Sequence, residues 1–375
     1  MRKSRISAVA VAVLASLGVA ACGSSSSSSS SSSAGSSSSS SSPAASGASG
    51  TINGAGSTLA APIYQQWGST LSSQGVTVNY NPVGSGAGVA QLQAGTVDFA
   101  GSDPAIKPAE QAKAKGPVSQ FPVAFGAITV SYNLSGIKSG IKLDGATLAD
   151  IFSGKVKTWN SSEITALNPG MSLPSTAIAV VHRSDSSGTT NGFTTFLSDT
   201  SPSWKSSVGA GKDVKWPTGS GAAKNSGVAA AIKQTPGAIG YVEQAYALQN
   251  GFTYASVKNK SGAYIPPTIP ATSAAAVGIP VPANLGISTI NSPNPTAYPI
   301  VSQTFLMAYT DMCKAGISQS AAGAVKKFLT YAFGPGQQTL GAGSSQLPYA
   351  PLPSSLATTA NSDLAKLTCN GSPLS

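Results

Sequence analysis

Histidine occurs once in the 375 residues, at position 182, and cysteine three times without a Cys-x-x-Cys pair. That scarcity excludes the usual zinc patterns, which need clustered His and Cys. No Gly-x-Ser-x-Gly elbow is present, and no cysteine stands near a histidine, so neither familiar form of activated nucleophile is visible. No enzymatic activity, cofactor or metal is therefore expected. Charged residues make up only 9% of the chain, and the surplus of +10 comes from lysines scattered along it. Without a cluster of basic residues interleaved with aromatics, nucleic acid is not an expected partner. A mild attraction for small anions suits the charge better.

Glycine and serine are plentiful, which suits an exported protein rich in turns. Arg2, Lys3 and Arg5 form a basic start, and Ala8 to Val19 is an apolar run too short to span a bilayer comfortably. Val19-Ala20-Ala21-Cys22-Gly23 resembles a bacterial lipobox, predicting cleavage before Cys22 and lipid on its thiol; an ordinary signal peptide with an incidental cysteine is the alternative. Residues 1–21 then form a signal peptide and 22–50 a Ser-rich tether that buries nothing and reaches about 30 Å as a flexible coil. Without Arg2, Lys3 and Arg5, nineteen basic residues remain against twelve acidic, a net charge of +7. The remaining length has room for about two domains. In an exported chain, the other two cysteines, Cys313 and Cys369, are candidates for a disulfide.

From Thr51 on, strand-like and helix-like patterns alternate, predicting an α/β fold. Gly54-Ala55-Gly56-Ser57-Thr58-Leu59 is a turn into an amphipathic helix, with Ser57 or Thr58 as its expected N-cap. Val76 to Tyr80 alternates like a strand, and Gly84-Ser85-Gly86-Ala87-Gly88 follows, ahead of a helix predicted over Val89 to Ala94. Neither loop has the spacing of a dinucleotide fingerprint, and no P-loop lysine follows. Asp103 ends the strand-like Val97 to Ala100 stretch, where ligands gather in open α/β sheets; a turn or cap role before Pro104 is its other reading. Phe121 to Val130 reads as a buried strand or one crossing between domains. Tyr298 to Val301 and Phe305 to Tyr309 read as two strands, and Ala321 to Phe333 as a helix.

The stretch His182-Arg183-Ser184-Asp185-Ser186-Ser187-Gly188-Thr189 lies between an apolar strand pattern and a helical one. Ser187, Gly188 and Thr189 place backbone N–H groups and two hydroxyls at the positive end of that helix, where an anion is favoured. Arg183 adds a planar fork matched to an oxyanion, and Asp185 is placed to hold it. Three such helix starts, one Arg and one carboxylate point to a single anion site.

In this order these motifs resemble those of the phosphate-binding lipoproteins, the PstS family, of bacterial phosphate ABC importers. Supporting stretches are Thr158-Trp159-Asn160, Lys215-Trp216-Pro217 and Pro236-Gly237-Ala238-Ile239-Gly240-Tyr241-Val242-Glu243. The resemblance covers about residues 51–355 and implies a two-lobed periplasmic-binding-protein fold of type II. Its chain would cross twice between lobes, giving lobe I as 51–127 plus 300–375 and lobe II as 128–299, with the ligand in the cleft. It implies phosphate contacts from Thr58, Leu59 (through its N–H), Ser85, Asp103, Arg183, Ser187, Gly188 and Thr189, with Asp185 orienting Arg183. Asp103 would accept a proton that phosphate keeps and sulfate lacks. Leu59, Ala87 and Ser186 depart from the residues common in the family without removing a liganding group. The expected partners are inorganic phosphate, membrane permease subunits, and the membrane through lipid on Cys22, for a monomer outside the cytoplasm. Rival readings are the same fold tuned to sulfate, a phosphatase, or an adhesive surface lipoprotein.

Overall fold

A computed structural model of the chain describes residues 49–374. The expected signal peptide, the lipidation site Cys22 and the tether up to residue 48 lie outside the described residues. Among the described residues, no helix is long and apolar enough to cross a membrane.

The strand and helix patterns resolve into one mixed sheet of nine strands with helices packed against it. The strands are β1 (Gly50–Gly56), β2 (Val76–Asn81), β3 (Phe99–Ser102), β4 (Val118–Tyr132), β5 (Ala179–Arg183), β6 (Ser220–Ala222), β7 (Ala238–Glu243), β8 (Thr253–Tyr254) and β9 (Val301–Tyr309). Their order is β2-β1-β3-β9-β4-β7-β5-β6, with β8 pairing β4 off that path. β1 is parallel to β2 and β3, and β5 is parallel to β6 and β7, as expected where helices make the crossovers. The two long strands are the exception: β9 runs antiparallel to both β3 and β4.

β4 joins the two parallel sets. Its residues up to Ala127 pair β9, and from Ile128 onward it pairs β7. Every residue from Gln120 to Tyr132 is buried, which explains the unbroken apolar run in place of an alternating one. β9 is a single strand from Val301, where the sequence suggests two at 298–301 and 305–309; of the first stretch only Val301 joins it, and Tyr298 to Ile300 precede it outside the strand. The polar Ser302, Gln303 and Thr304, buried within the strand, interrupt its apolar pattern, and a shift of register against β4 follows them between Thr304 and Phe305.

The helices that frame the site are α1 (Ala61–Ser72), α2 (Ser85–Ala94), α3 (Gly145–Phe152), α4 (Gly188–Thr200), α5 (Lys224–Gln234), α6 (Gln244–Gln249) and α7 (Gln319–Phe333). α1 starts three residues later than its expected cap, with Pro62 in its first turn, a position that tolerates the missing N–H. Ser57 Oγ accepts the Ala60 N–H at 3.1 Å, and the Thr58 side chain is left free of capping. α2 begins at Ser85 and not at Val89, because Gly84, at φ +96°, makes the turn itself. Gly88 within α2 lies against β1: a Cβ there would meet the Gly56 Cα at 2.4 Å. Ser187 caps α4 by accepting the Thr190 N–H at 3.1 Å, an arrangement that stabilises by about 1 kcal/mol.

Aromatic packing anchors both parallel sets of the sheet. Tyr64 meets Phe99 and Phe328 edge-on, each with ring centroids 5.8 Å apart, fixing α1 and α7 to β3. Phe193 stacks on Tyr241 at 4.5 Å and receives Phe152 edge-on at 4.7 Å, fixing α4 and α3 to β7. Cys313 and Cys369 form a disulfide with their Cα atoms 4.7 Å apart. Closing a loop with a separation of 56 residues stabilises by about 4 kcal/mol in the chain-entropy view.

Candidate anion-binding site

The site lies where five chain ends meet: the turn after β1, the start of α2, the end of β3, the end of β5 and the start of α4. Ser57, Ser85, Ser187 and Thr189 are fully buried, and Thr58, Asp103 and Arg183 are at most 3% exposed. Asp103 follows β3 and is ringed by hydroxyls. Its Oδ1 accepts from Ser57 Oγ and from Thr304 Oγ1 (3.0 Å), and its Oδ2 from Ser85 Oγ (3.3 Å). Burial pushes its pKa up, and the Ser57 and Thr304 hydroxyls, the Arg183 charge and the Ser85 hydroxyl offset only part of that rise.

Arg183, the last residue of β5, faces Asp185 as a bidentate pair: Nε to Oδ1 at 2.7 Å and a terminal nitrogen to Oδ2 at 2.5 Å. Its other terminal nitrogen reaches Thr189 Oγ1 at 3.4 Å. Asp185 also accepts the Lys224 N–H at 2.9 Å. Although burial works against it, the Arg183 hydrogen bonds and charge hold the Asp185 carboxyl below the usual carboxylate range. The Arg183 backbone N–H donates to the Tyr241 hydroxyl at 3.0 Å, and that hydroxyl pairs with Thr190 Oγ1 at 2.6 Å, locking β5 to α4 and β7. His182 stands apart from the ring, stacked on Trp216 with centroids 4.6 Å apart.

The Thr58, Ser85 and Asp103 segments and the Arg183–Thr189 segment are in direct contact. The Gly86 N–H donates to the Ser186 carbonyl at 3.0 Å. A Cβ on Gly188 would lie 2.2 Å from Asp103 Oδ2 and 2.5 Å from Ser85 Oγ. Tyr246 donates to the Thr58 carbonyl at 2.8 Å, and the Tyr349 hydroxyl lies 2.7 Å from the Leu59 carbonyl and 2.9 Å from Glu243 Oε2, its one hydrogen shared between the two. Burial pushes the Glu243 carboxyl well above its ordinary range, despite the hydrogen bonds from Tyr349 and Ala245.

All the side chains expected to bind are therefore gathered at one place. Leu59 lies beside them, its carbonyl accepting from Tyr349 and its side chain packing against Gly126 in β4. Sequence reasoning passes over Ser57 as a ligand-region residue, and over Thr304, Asn225, Glu243, Tyr246 and Tyr349. The signal for Ser57 is its place in the same loop as Thr58, and Glu243 ends the Pro236–Glu243 stretch that carries part of the resemblance; the others lie in segments whose patterns carry no trace of the site. Chemically, the ring offers hydroxyl and N–H donors, one guanidinium and one carboxylate. It suits an oxyanion that carries a proton for Asp103.

The chain matches a family model described as the PBP superfamily domain over residues 41–335. It is 42% identical over 307 residues to the phosphate-binding protein PstS of Pasteurella multocida, covering 81% of this chain and 86% of that protein. It is 38% identical to the protein of that name from Methanocaldococcus jannaschii, over 70% and 72% of the two chains. Among solved structures, a high-affinity periplasmic phosphate-binding protein bound with phosphate superposes with a TM-score of 0.66 at 23% identity, over 84% of this chain and 93% of that one. A phosphate-binding protein from Stenotrophomonas maltophilia gives 0.62 at 20% identity, over 84% and 94%.

Proposed function

We propose, from the premise that the chain belongs to the PstS family of phosphate-binding proteins and has the type II periplasmic binding fold, that it captures inorganic phosphate outside the cytoplasm and delivers it to an ABC importer. The observation that carries the reading is Asp103, a buried carboxylate amid hydroxyls and an arginine. Such a group repels an unprotonated oxyanion and welcomes one that can donate a proton. Phosphate keeps a proton at neutral pH and sulfate does not, so the mismatch costs sulfate several kcal/mol, on the order of the penalty for an unpaired buried group.

In this reading Thr58, the Leu59 N–H and Ser85 bind from one lobe. Arg183, held by Asp185, binds from the other with Ser187, Gly188 and Thr189. The lobe limits proposed are 51–127 with 300–375, and 128–299. They are supported by β4, whose partner changes from β9 to β7 between Ala127 and Ile128, and by β9, whose pairing starts at Val301. The protein acts as a binding monomer without catalysis, tethered by lipid on Cys22 beside its permease partners. The lipobox-like Val19 to Cys22 sequence supports that address.

Isothermal titration with phosphate, arsenate and sulfate tests the reading. Heat with phosphate and none with sulfate is expected. Silence with phosphate would end the proposal, and equal affinity for sulfate would end the role given to Asp103. Turnover of a chromogenic phosphate ester with divalent metal would replace binding by catalysis.

A further inference from the structure

Asn225, fully buried in the first turn of α5, touches both halves of the ring. Its Nδ2 donates to Thr58 Oγ1 at 2.8 Å and to Thr189 Oγ1 at 3.3 Å, while its backbone N–H reaches Thr58 Oγ1 at 3.4 Å. Its Oδ1 accepts the Glu243 N–H at 3.1 Å. That last bond settles the orientation of the amide, since a backbone N–H can only donate and must face the oxygen. The NH₂ therefore faces the two threonines. Lys224, the residue before, has φ +67°, a conformation few side chains adopt, and its N–H holds Asp185.

A hydroxyl has one hydrogen and two acceptor positions. Asn225 occupies both acceptor positions of Thr58. With the Arg183 terminal nitrogen at 3.4 Å, it also occupies those of Thr189. The one hydrogen on each threonine is then free only to point away from Asn225. We infer that Asn225 is a specificity-determining positioning residue: it fixes the Thr58 and Thr189 hydroxyls as donors toward the bound anion, and it does so from both sides of the cleft at once. Asp103 is left as the acceptor in the ring. The inference rests on the phosphate reading of the site.

The test is a double-mutant cycle on phosphate affinity by calorimetry, with wild type, Asn225→Leu, Thr58→Val and the pair. Asn225→Leu keeps the number and branching of the side-chain heavy atoms and removes the amide donors, so affinity should fall about tenfold to a hundredfold. In the Thr58→Val background the same change should cost clearly less than in wild type, because only the Thr189 hydroxyl is left for it to orient. Losses that simply multiply, or an Asn225→Leu protein that binds like wild type, would overturn the inference. Asn225→Asp supplies an independent readout and a second route should Asn225→Leu not fold. Its ionised carboxylate would draw both threonine hydrogens out of the site, so its loss relative to wild type should deepen as pH rises. A pH-independent ratio would count against the assignment. Wild-type protein that gives no heat with phosphate would overturn the functional reading and this inference together, whereas wild-type heat with indifferent Asn225 variants overturns the inference alone.

Discussion

Gly188 closes directly on the carboxylate of Asp103, so near that a methyl group on it would sit 2.2 Å from Oδ2. The contact joins the first residue of α4 to the end of β3, and no side chain can be inserted there without separating them. Gly188→Ala should therefore weaken phosphate binding by at least about a hundredfold, because the ring cannot close. Titration calorimetry alongside thermal unfolding without ligand would check it. Unchanged affinity would mean that the ring binds its ligand without this approach.

Asp103→Asn exchanges an acceptor-only carboxylate for a group that can also donate. Selectivity should then relax, with the phosphate-to-sulfate ratio falling by roughly two orders of magnitude, as the penalty for facing an unprotonated anion is removed. Competition titrations of both anions against the variant and wild type would reveal it. A ratio as high as that of wild type would move the discrimination elsewhere.

Arg183 and His182 are neighbours in sequence with separate surroundings. Arg183→Ala removes the guanidinium and leaves Asp185 without its bidentate partner, so phosphate affinity should drop by more than about a hundredfold. His182→Ala loses a stack on Trp216 and should cost under about threefold. Comparable losses in parallel titrations would contradict the roles assigned.

Glu243 sets a pH dependence of stability with a definite sign. Burial raises its pKa in the folded chain, so above the ordinary carboxylate range the native state holds a proton that the unfolded chain has released. Its contribution is fully present below the unfolded value and is lost as pH rises through the folded one. Glu243→Gln has no such proton to lose. Its unfolding temperature should rise relative to wild type between about pH 4 and pH 8, most at the alkaline end. A constant difference across that range, seen by differential scanning calorimetry, would show that Glu243 titrates as an ordinary carboxylate. Asp103 carries the same sign in both proteins and leaves a common slope.

The parts of the site that sit at helix starts were legible because their chemistry is local. A Gly/Ser loop before a helix announces N–H groups and hydroxyls, and Arg183-Ser184-Asp185 places an ion pair two residues apart. Asn225 was not legible. It follows a lysine in an unusual backbone conformation, and its value comes from two threonines that are 167 and 36 positions away. Thr304 escaped for a similar reason: it lies in a strand buried along its whole length, where alternation cannot say which side chain faces the ligand region. With Ser302 and Gln303 it also interrupts the apolar pattern, which made the 305–309 stretch look like a separate strand. The capping expectation for Thr58 failed because α1 begins further on, which frees the hydroxyl that the site requires.

The complete enclosure of the ring also bears on time. With Thr58, Asp103, Arg183 and Thr189 all sealed from solvent, a phosphate held among them cannot exchange by diffusion, and its dissociation rate is capped by how often the halves part. Under the proposed lobe limits the chain crosses within β4 and immediately before β9, so residence time is governed at those two strands as much as at the ligand. Substitutions along those strands would change how quickly cargo is handed over without touching a single group that binds it.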